Sequence, residues 1–265
     1  MLRVVGEPLK FVAAGPYGQQ DLCVDEVNLS VEADVLALIE GNGENGIAIA
    51  NDARLAVIKA AEIDYSEKPD EAQYLPDDVA VMLGAVTKSL KRTPGYADYS
   101  GAAVTATVVM EGLIRPVYAG DLLAYFVPHN APADKLLSAH NRRNEDERTR
   151  AESKGGVLRR ARTSEGVGRF WYDVNDEDLE WGLDTLRSIG HFAARFVEQE
   201  PVLAPDYKLE QPGQLVIASP GVFAPGYMDA SIERIIREGS LTQEAVDQMA
   251  KTNKYDASII IAQIG

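Results

Sequence analysis

The stretch Gln214-Leu-Val-Ile-Ala-Ser-Pro-Gly-Val-Phe223 lies near the end of the 265-residue chain and combines a strand signal with an abrupt stop. Its first part, residues 214–219, is dominated by the apolar and branched side chains that favour a buried strand. Pro220 and Gly221 then end the strand, because proline lacks the N–H that a sheet ladder needs and glycine permits a tight turn. The stretch therefore predicts a core strand whose end is fixed by a turn.

Seven further runs of strand length are spread along the chain, and most are rich in Val, Ile or aromatic residues. Glu111-Gly112 separates two of them and is a hairpin turn signal. The next run follows closely, so we expect three consecutive strands to form an antiparallel meander. The seven runs are 9–13, 24–29, 35–39, 102–110, 113–118, 122–127 and 258–264.

Helical patterns lie between the strand runs. Apolar or small residues repeat on one face of the two early segments, and a third segment opens at Asn144, a good N-cap residue, and stops at Gly155-Gly156. Helices outside sheets indicate an α+β protein, and we expect one domain over residues 1–265. The expected helices are 44–63, 77–90, 144–154, 231–237 and 242–249.

The C-terminal motifs resemble those of the protein phosphatase 2C (PPM) family. In that family an apolar strand ends in Ala-Ser-Asp-Gly and two apolar residues, and here Ala218-Ser-Pro-Gly221 stands in that place. Leu241-Thr-Gln-Glu-Ala-Val246 is similar to the start of the family's next helix. Lys254-Tyr-Asp-Ala-Ser-Ile-Ile-Ile261 is similar to its closing Asp-Asn strand.

The resemblance extends in the family's order over nearly the whole chain. Gln19-Gln-Asp21 stands where Asn-Glu-Asp or Asn-Gln-Asp is usual, and Ile39-Glu-Gly-Asn-Gly43 stands where Asp-Gly-His-Gly is usual. Residues 100–107 with 117–121 are similar to a hairpin that ends in Gly-Asp-Ser-Arg, and Leu186-Arg-Ser-Ile-Gly-His-Phe192 is similar to the Ser-Arg-x-Leu-Gly-Asp/His motif. The resemblance implies a PP2C-like β-sandwich of two antiparallel sheets flanked by helices.

The family hydrolyses phosphoserine and phosphothreonine esters with two divalent ions, Mg²⁺ or Mn²⁺, which need several oxygen ligands. By resemblance, the metal-binding remnants of this chain are Asp21, Glu40, Gly41 and Asp256. Glu40 is one methylene longer than the bridging aspartate it replaces. The other reading of Asp21, Glu40 and Asp256 is that they are strand-end carboxylates bonded to loops or hydrated.

Other positions of the family pattern are lost. Pro220 replaces an aspartate ligand, and Ala257 replaces the asparagine of the Asp-Asn pair. The phosphate-binding arginine, expected near Pro16, has no counterpart there. Asp121 is kept, but Leu122-Leu123 follows it in place of Ser-Arg.

These losses favour a catalytically inactive pseudophosphatase that serves as a protein-binding, scaffolding or regulatory subunit. Binding through its surface is the simplest function left to a fold that has lost its catalytic ligands. We expect no catalytic residue and no cofactor, or at most one weakly bound Mg²⁺ or Mn²⁺. The open alternative is a weakly active Mg²⁺- or Mn²⁺-dependent serine/threonine protein phosphatase. The expected partners are other proteins in a complex.

The net charge of −15 disfavours nucleic acid and anionic membranes as partners. A single cysteine, Cys23, excludes an intramolecular disulfide and a four-thiolate zinc site. No stretch approaches the roughly 20 apolar residues of a membrane helix, and the N-terminal residues lack the apolar run of a secretory signal. We therefore expect a soluble, intracellular and most plainly cytoplasmic protein without membrane insertion.

Three further patterns have competing interpretations. Gly41-Asn-Gly-Glu-Asn-Gly46 fits a dinucleotide-binding fingerprint, with Gly41, Gly43 and Gly46 as its glycines, but the antiparallel signals around it favour a turn. Arg159-Arg-Ala-Arg162 is either an anion-binding patch or exposed loop basicity, the latter being commoner. Phe170-Trp-Tyr172 is more typical of sheet packing than of a recognition platform.

A lone histidine is usually a surface or capped residue, and the three here lack metal-ligand spacing.

Overall fold

The computed structural model describes residues 2–13, 22–29, 33–63, 73–110, 112–160, 168–171, 182–183, 185–223, 228, 230–253 and 257–265. The helices are α1 (Gly46–Ala61), α2 (Leu75–Leu90), α3 (Glu145–Ser153), α4 (Ala230–Arg237) and α5 (Gln243–Asn253). The strands are β1 (Val4–Ala13), β2 (Leu22–Leu29), β3 (Ala33–Asn42), β4 (Gly101–Met110), β5 (Leu113–Ala119), β6 (Leu123–Pro128), β7 (Asp134–Lys135), β8 (Val157–Arg160), β9 (Gly168–Trp171), β10 (Gly182–Leu183), β11 (Ile189–Gly190), β12 (Val202–Leu203), β13 (Tyr207–Lys208), β14 (Gly213–Ala218) and β15 (Ala257–Ile264).

The strands form two large antiparallel sheets and a small third one. The first large sheet has the order β1-β15-β14-β6-β7. The second has the path β12-β5-β4-β3-β2, with β11 also paired to β4 and β13 to β5. The small sheet has the order β10-β9-β8. The predicted α+β fold of two antiparallel sheets with flanking helices is confirmed.

The stacking of the layers follows from side-chain alternation along the strands. In β3, Val35 and Ile39 pack with α1 and α2 on one face. Leu36 and Leu38 point the other way, into a core shared with β6, β14 and β15 of the first sheet. The outer face of that sheet packs against α4 and α5. The order of layers is therefore helices, sheet, sheet, helices.

The predicted meander is wrong at its third strand. β4 and β5 form the expected hairpin, with Met110 opposite Leu113 and Gly112 at a φ of +77°. β6 leaves this sheet and pairs with β14 and β7 in the other one. An apolar strand has the same sequence pattern in either sheet, so the pattern could not reveal that the chain crosses over.

The other predicted elements are confirmed, mostly with small changes at their ends. Asn144 is the N-cap of α3, and its side chain accepts a hydrogen bond from the Glu147 N–H. α2 begins two residues earlier than expected, with Pro76 in its first turn. The short strands β7 to β13 were not predicted, because two to four residues carry too little pattern. Across the residues with assigned positions, no helix is long and apolar enough to span a membrane.

Candidate functional site

The crossover between the two large sheets defines one end of the sandwich. Ala119, the last residue of β5, pairs with Val104 in one sheet, and Leu123, the first of β6, pairs with Ala218 in the other. Four residues along the chain span at most about 14 Å. The ends of β3 and β14, which carry the sequence-predicted site positions, are therefore held close together at this end.

Gly120 makes the crossover tight. Its φ is +125°, and a Cβ atom at this position would overlap Ala103 on the neighbouring strand. Leu122, which stands where the family has a serine, is fully buried in the core between the sheets. Asp121 keeps its place between them and is partly buried. The crossover thus retains one carboxylate while its other side chains serve packing.

Glu40 lies at this end of β3, opposite Leu22 of β2 and Ala103 of β4. Alternation places it on the same face as Leu36 and Leu38, toward the first sheet, and only 8% of its surface is exposed. A buried carboxylate at the end of a strand, beside the crossover, is where the resemblance expects a metal ligand. The structure thus places Glu40 beside the crossover, and its role as a metal ligand stays a prediction.

The glycines of the 41–46 motif are explained by close backbone packing. A Cβ atom at Gly41 would overlap the backbone of Gly46, and one at Gly43 would overlap Tyr99 and Ser100. β3, which precedes the motif, has antiparallel neighbours on both sides. A dinucleotide fingerprint requires a parallel βαβ unit, and the strands flanking this motif do not form one. The motif is a turn that joins β3 to α1.

Pro220 lies two residues after the end of β14. The preceding Ser219 is fixed to β15, because its N–H donates to the Ser258 carbonyl and its Oγ accepts from the Ser258 N–H, both at 2.9 Å. The backbone of the turn is therefore well anchored, while the side chain of Pro220 offers no oxygen. Ala257, the first residue of β15, packs on the outer face of the first sheet, in the apolar cluster with α4 and α5.

Two of the four predicted remnants, Asp21 and Asp256, lie outside the described residues, as does Pro16. Leu22, the next residue after Asp21, pairs with Glu40, and Ala257 begins β15. Within the residues that the structure does describe, no group of three or more His, Cys, Asp or Glu side chains could hold a metal ion. The ligand set inferred from the resemblance, Asp21, Glu40, Gly41 and Asp256, stays a prediction.

A buried histidine, His140, is hydrogen-bonded to the crossover. The Gly120 N–H donates to His140 Nδ1 at 3.3 Å, and the His140 N–H donates to the Gly120 carbonyl at 2.8 Å. The imidazole stacks on Tyr118, with ring centres 4.4 Å apart. Burial lowers the pKa of His140 to about 3. This agrees with its geometry, because Nδ1 accepts a hydrogen bond only while it carries no proton.

An ion-pair network fixes α3 next to His140. The Glu147 carboxylate accepts from Arg187 Nε on one oxygen and from Arg150 Nη2 on the other, each at 2.9 Å. Arg150 also donates to the carbonyls of Leu186 and Phe196. Burial raises the pKa of Glu147, but the hydrogen bonds from both arginines outweigh it, so the pKa lies below the usual value.

His191 has a strained conformation beside the start of β4, where its N–H donates to the Ser100 carbonyl. Its φ is +55°, a left-handed value that non-glycine residues rarely adopt. Its Nδ1 is 2.8 Å from Ser188 Oγ, and its ring lies against Gly101, where a Cβ atom would overlap it. Burial lowers the pKa of His191 to about 4. The general expectation of surface or capped histidines holds for the exposed His129 and is wrong for His140 and His191.

We expect acid to destabilise the fold through these two histidines. Unfolded histidine titrates near its usual pKa of 6.5, whereas the folded pKa values are about 4 and about 3. The unfolded state therefore gains protons first, and stability falls as the pH drops from about 7 toward 4. At pH 5 the loss is roughly 2 kcal/mol for each histidine. Urea unfolding at pH 7.5 and pH 5 measures it.

His191→Asn removes one titrating group and keeps a residue type that tolerates a positive φ. We expect the difference in unfolding free energy between the two pH values to shrink by roughly 2 kcal/mol. His129→Asn, at an exposed position, is the matched control and should leave the difference unchanged. Equal stability of the parent protein at both pH values would contradict the prediction.

The sequence did not identify His140, Glu147, Arg187 or His191 as structural supports of the site. The available signal was the position of Arg187 and His191 inside the family-like segment 186–192. Their partners are distant in the chain: Glu147 accepts from Arg187, and the His191 N–H donates to the Ser100 carbonyl. A hydrogen bond over such a separation leaves no periodic pattern in the sequence.

Comparison with known proteins finds similar solved structures, whereas comparison of the sequence finds no match. No protein-family model and no curated protein matches the chain. A C. elegans sex determining protein has a TM-score of 0.73 at 14% identity, over 97% of this chain and 64% of that one. The serine-threonine phosphatase 2C of Toxoplasma gondii has a TM-score of 0.71 at 13% identity, over 100% and 99% of the two chains.

The catalytic domain of the serine threonine protein phosphatase PstP, in complex with two manganese ions, has a TM-score of 0.62 at 14% identity, over 99% and 98% of the chains. The present chain thus spans the full phosphatase domains but only 64% of the C. elegans protein. Structural similarity at identities this low establishes the fold alone. Activity has to be argued from the site. The chain therefore has the PPM fold, that of the PP2C-type serine/threonine phosphatases.

Proposed function

We propose that the protein is a pseudophosphatase, which has lost metal-dependent hydrolysis and acts by binding other proteins as a scaffolding or regulatory subunit. The observation that carries the proposal is Pro220 at the end of β14, where the family places an aspartate ligand. The turn is held to β15 by the hydrogen bonds of Ser219, so its backbone has been kept while the ligand oxygen has been replaced.

The loss of this ligand bears directly on the chemistry. Two-metal hydrolysis depends on a metal-bound hydroxide and on charge stabilisation at the phosphoryl oxygens. Mg²⁺ tolerates little departure from octahedral geometry, and Glu40 would shift the bridge by one methylene. The residues present therefore do not fit a two-metal centre of the kind that PstP holds. We propose that no cofactor is required, and that Glu40, Gly41, Asp21 and Asp256 bind at most one weak Mg²⁺ or Mn²⁺.

The second candidate is a weakly active Mg²⁺- or Mn²⁺-dependent serine/threonine phosphatase. The observation in its favour is that Glu40 is buried beside the crossover that carries Asp121. Two carboxylates near one end of the sandwich are a partial ligand set. We place this candidate second because the position of Pro220 contributes no ligand.

The proposed partners are other proteins, in a complex. The net charge of −15 makes nucleic acid an unfavourable partner. For the same reason we propose that the protein acts away from anionic membrane surfaces, in the cytoplasm.

We expect the purified protein to show no Mg²⁺- or Mn²⁺-dependent hydrolysis of p-nitrophenyl phosphate or of a phosphothreonine peptide above a protein-free blank. The missing ligand and the missing arginine should each lower the rate by orders of magnitude, since each removes charge stabilisation from the transition state. Turnover is measured with and without EDTA, and an active PP2C phosphatase serves as the positive control. EDTA-sensitive turnover that Glu40→Ala abolishes, and that Glu210→Ala at an exposed position retains, would establish the second candidate instead.

A further inference from the structure

Helix α2 carries an apolar patch on the side that faces away from the protein. Val81 is 67% exposed, a larger fraction than any other large apolar side chain among the described residues. Ala85, one helical turn later, is also exposed. The opposite side of the helix is already occupied, since Val79 and Leu83 pack in the core beneath the helices. The α2 patch, defined as Val81, Gly84 and Ala85, is therefore not needed by that core.

Gly84 leaves a hollow beside Val81. Glycine destabilises the interior of a helix relative to alanine, so its presence there needs a reason. A Cβ atom at Gly84 would meet no other heavy atom within 4 Å in the part of the chain that the structure describes. Its φ is outside the left-handed range, so the backbone does not require a glycine either. Close approach of another backbone is a use of glycine that fits this position.

The charges of α2 are arranged symmetrically about this patch. Asp78 lies in the first turn of the helix and Lys88 in the last turn. The helix dipole favours this order of charges by itself, but it does not explain an exposed valine between them. Asp78 and Lys88 are equally distant from Leu83 along the helix, and so are Val81 and Ala85. The outer surface of α2 is therefore complementary to a copy of itself that runs in the opposite direction.

A two-fold axis level with residue 83 would match these features in pairs. An interface with two-fold symmetry repeats every contact twice. Asp78 of each copy then lies opposite Lys88 of the other, which makes two ion pairs. Val81 of each copy lies at the hollow beside Gly84 and Ala85 of the other, so that an exposed apolar side chain fills an open space.

The residues next to the helix ends extend the match. Tyr74, directly before α2, is 54% exposed, and Arg92, shortly after its end, is exposed as well. The same axis places these two residues of different copies opposite each other, where a guanidinium group can stack on an aromatic ring. Residues 74–92 contain two acids and three bases, in a chain whose net charge is −15. A second copy therefore meets less repulsion here than the total charge would impose.

Helix α1 widens the surface. Ile47 and Leu55 lie on one stripe of α1 and are 51% and 42% exposed, and α1 packs beside α2. A helix of 16 residues is about 24 Å long, and packed helices lie about 10 Å apart. The two helices thus offer on the order of 500 Å² per copy, which fits a weak and reversible dimer better than an obligate one.

We propose that a second copy of this chain docks on α2, antiparallel to it, and that the protein forms a weak two-fold dimer. The centre of the interface is Val81 of each copy against Gly84 and Ala85 of the other. Asp78 and Lys88 form the flanking pairs and fix the direction. The inference goes beyond the proposed function, because it holds for an active and for an inactive phosphatase.

Sedimentation velocity of the parent protein from about 2 to about 200 μM measures the monomer–dimer equilibrium. We expect the sedimentation coefficient to rise with concentration and to give a Kd of roughly 10–100 μM. Val81→Glu should raise the Kd at least about tenfold, because it places two carboxylates at the centre of the interface. Val5→Glu is the matched control at a valine of β1 that is 54% exposed, and should change the Kd less than about twofold.

Gly84→Leu separates a contact between copies from a role in the fold. Leucine fills the hollow that Val81 of the second copy enters, so the Kd should rise at least about tenfold. Leucine is also the better helix former, and the space around Gly84 is open. The urea midpoint of the dilute, monomeric variant should therefore equal or exceed that of the parent. A lowered midpoint with unchanged dimerisation would assign Gly84 to the fold and contradict the proposal.

Asp78→Lys and Lys88→Glu test the antiparallel direction. Each variant alone places like charges opposite each other at both flanking pairs, and we expect a Kd raised about fivefold. In an equimolar mixture of the two variants, opposite charges meet at both pairs. Association in the mixture should therefore recover to within about threefold of the parent. Circular dichroism confirms that each variant is folded before its association is compared.

The proposal is overturned if the parent stays monomeric at about 200 μM, which would leave the α2 patch to a different protein. It is also overturned if Val5→Glu weakens association as much as Val81→Glu does, or if the mixture of charge variants does not associate. EDTA-sensitive phosphatase activity of the parent would overturn the pseudophosphatase proposal and leave the dimer result standing.

Discussion

A chain with Glu40→Asp and Pro220→Asp is expected to bind Mn²⁺ at least about tenfold more tightly than the parent, because it gains a carboxylate and restores the shorter bridge. Both positions lie at the end of the sandwich where the crossover at Gly120 joins the sheets. Ala257→Asn, which would complete the family pattern, is left out. Its side chain would place an amide in the apolar cluster of α4 and α5, at a cost in stability.

Isothermal titration calorimetry on chelator-treated protein measures this gain. The matched control is Glu210→Asp/Pro212→Asp, the same chemical changes at exposed positions near the other end of β14. We expect no gain there. We also expect hydrolysis to stay low in the restored chain, because no arginine is present near Pro16. A folded double variant without improved affinity would show that Glu40 and Pro220 do not correspond to the family's ligands.

Glu147→Gln is expected to lower the free energy of unfolding by roughly 3 kcal/mol, because removing one member of a buried ion-pair network leaves the others unbalanced. Glu147 holds Arg187 and Arg150, whose side chains are only 17% and 20% exposed. Glutamine has the same size, so the loss reports the charge and its hydrogen bonds. Urea unfolding at pH 7.5 measures it.

Glu152→Gln provides the comparison on the same helix. Glu152 pairs with Arg148 at 3.7 Å, and both side chains are at least 40% exposed. Exposed pairs of this kind contribute at most about 0.5 kcal/mol. Equal effects of the two substitutions would mean that the Glu147 network does not stabilise the fold.

The long elements of the fold could be predicted because their patterns repeat over six or more residues. α1 and α2 bury one face against β3 and β4, which requires apolar residues at helical spacing. β14 and β15 are almost fully buried, which requires continuous apolar runs. The short strands β8 to β10 have no such requirement, and their Arg159 to Arg169 register could not be read from the residues.

The candidate site was predictable where it depends on the chemistry of one residue. The side chain of Pro220 has no oxygen in any fold, and Glu40 is longer than aspartate wherever it lies. The positions of Asp21 and Asp256 relative to Glu40 stay a prediction from the family resemblance. The supports around the site, His140 and Glu147 among them, were not predictable, since their partners are distant in the chain.

The sequence by itself determined the helices, the longer strands, the α+β class and the residue types left at the family's ligand positions. These properties depend on local spacing and on side-chain chemistry, which sequence contains directly. Only the tertiary structure decided that β6 crosses to the other sheet, that His140 and His191 are buried with lowered pKa values, and that positions 159 and 169 are opposite each other in the register of β8 and β9. Each of these depends on which distant segments pair, and strand pairing is set by the packing of the whole core.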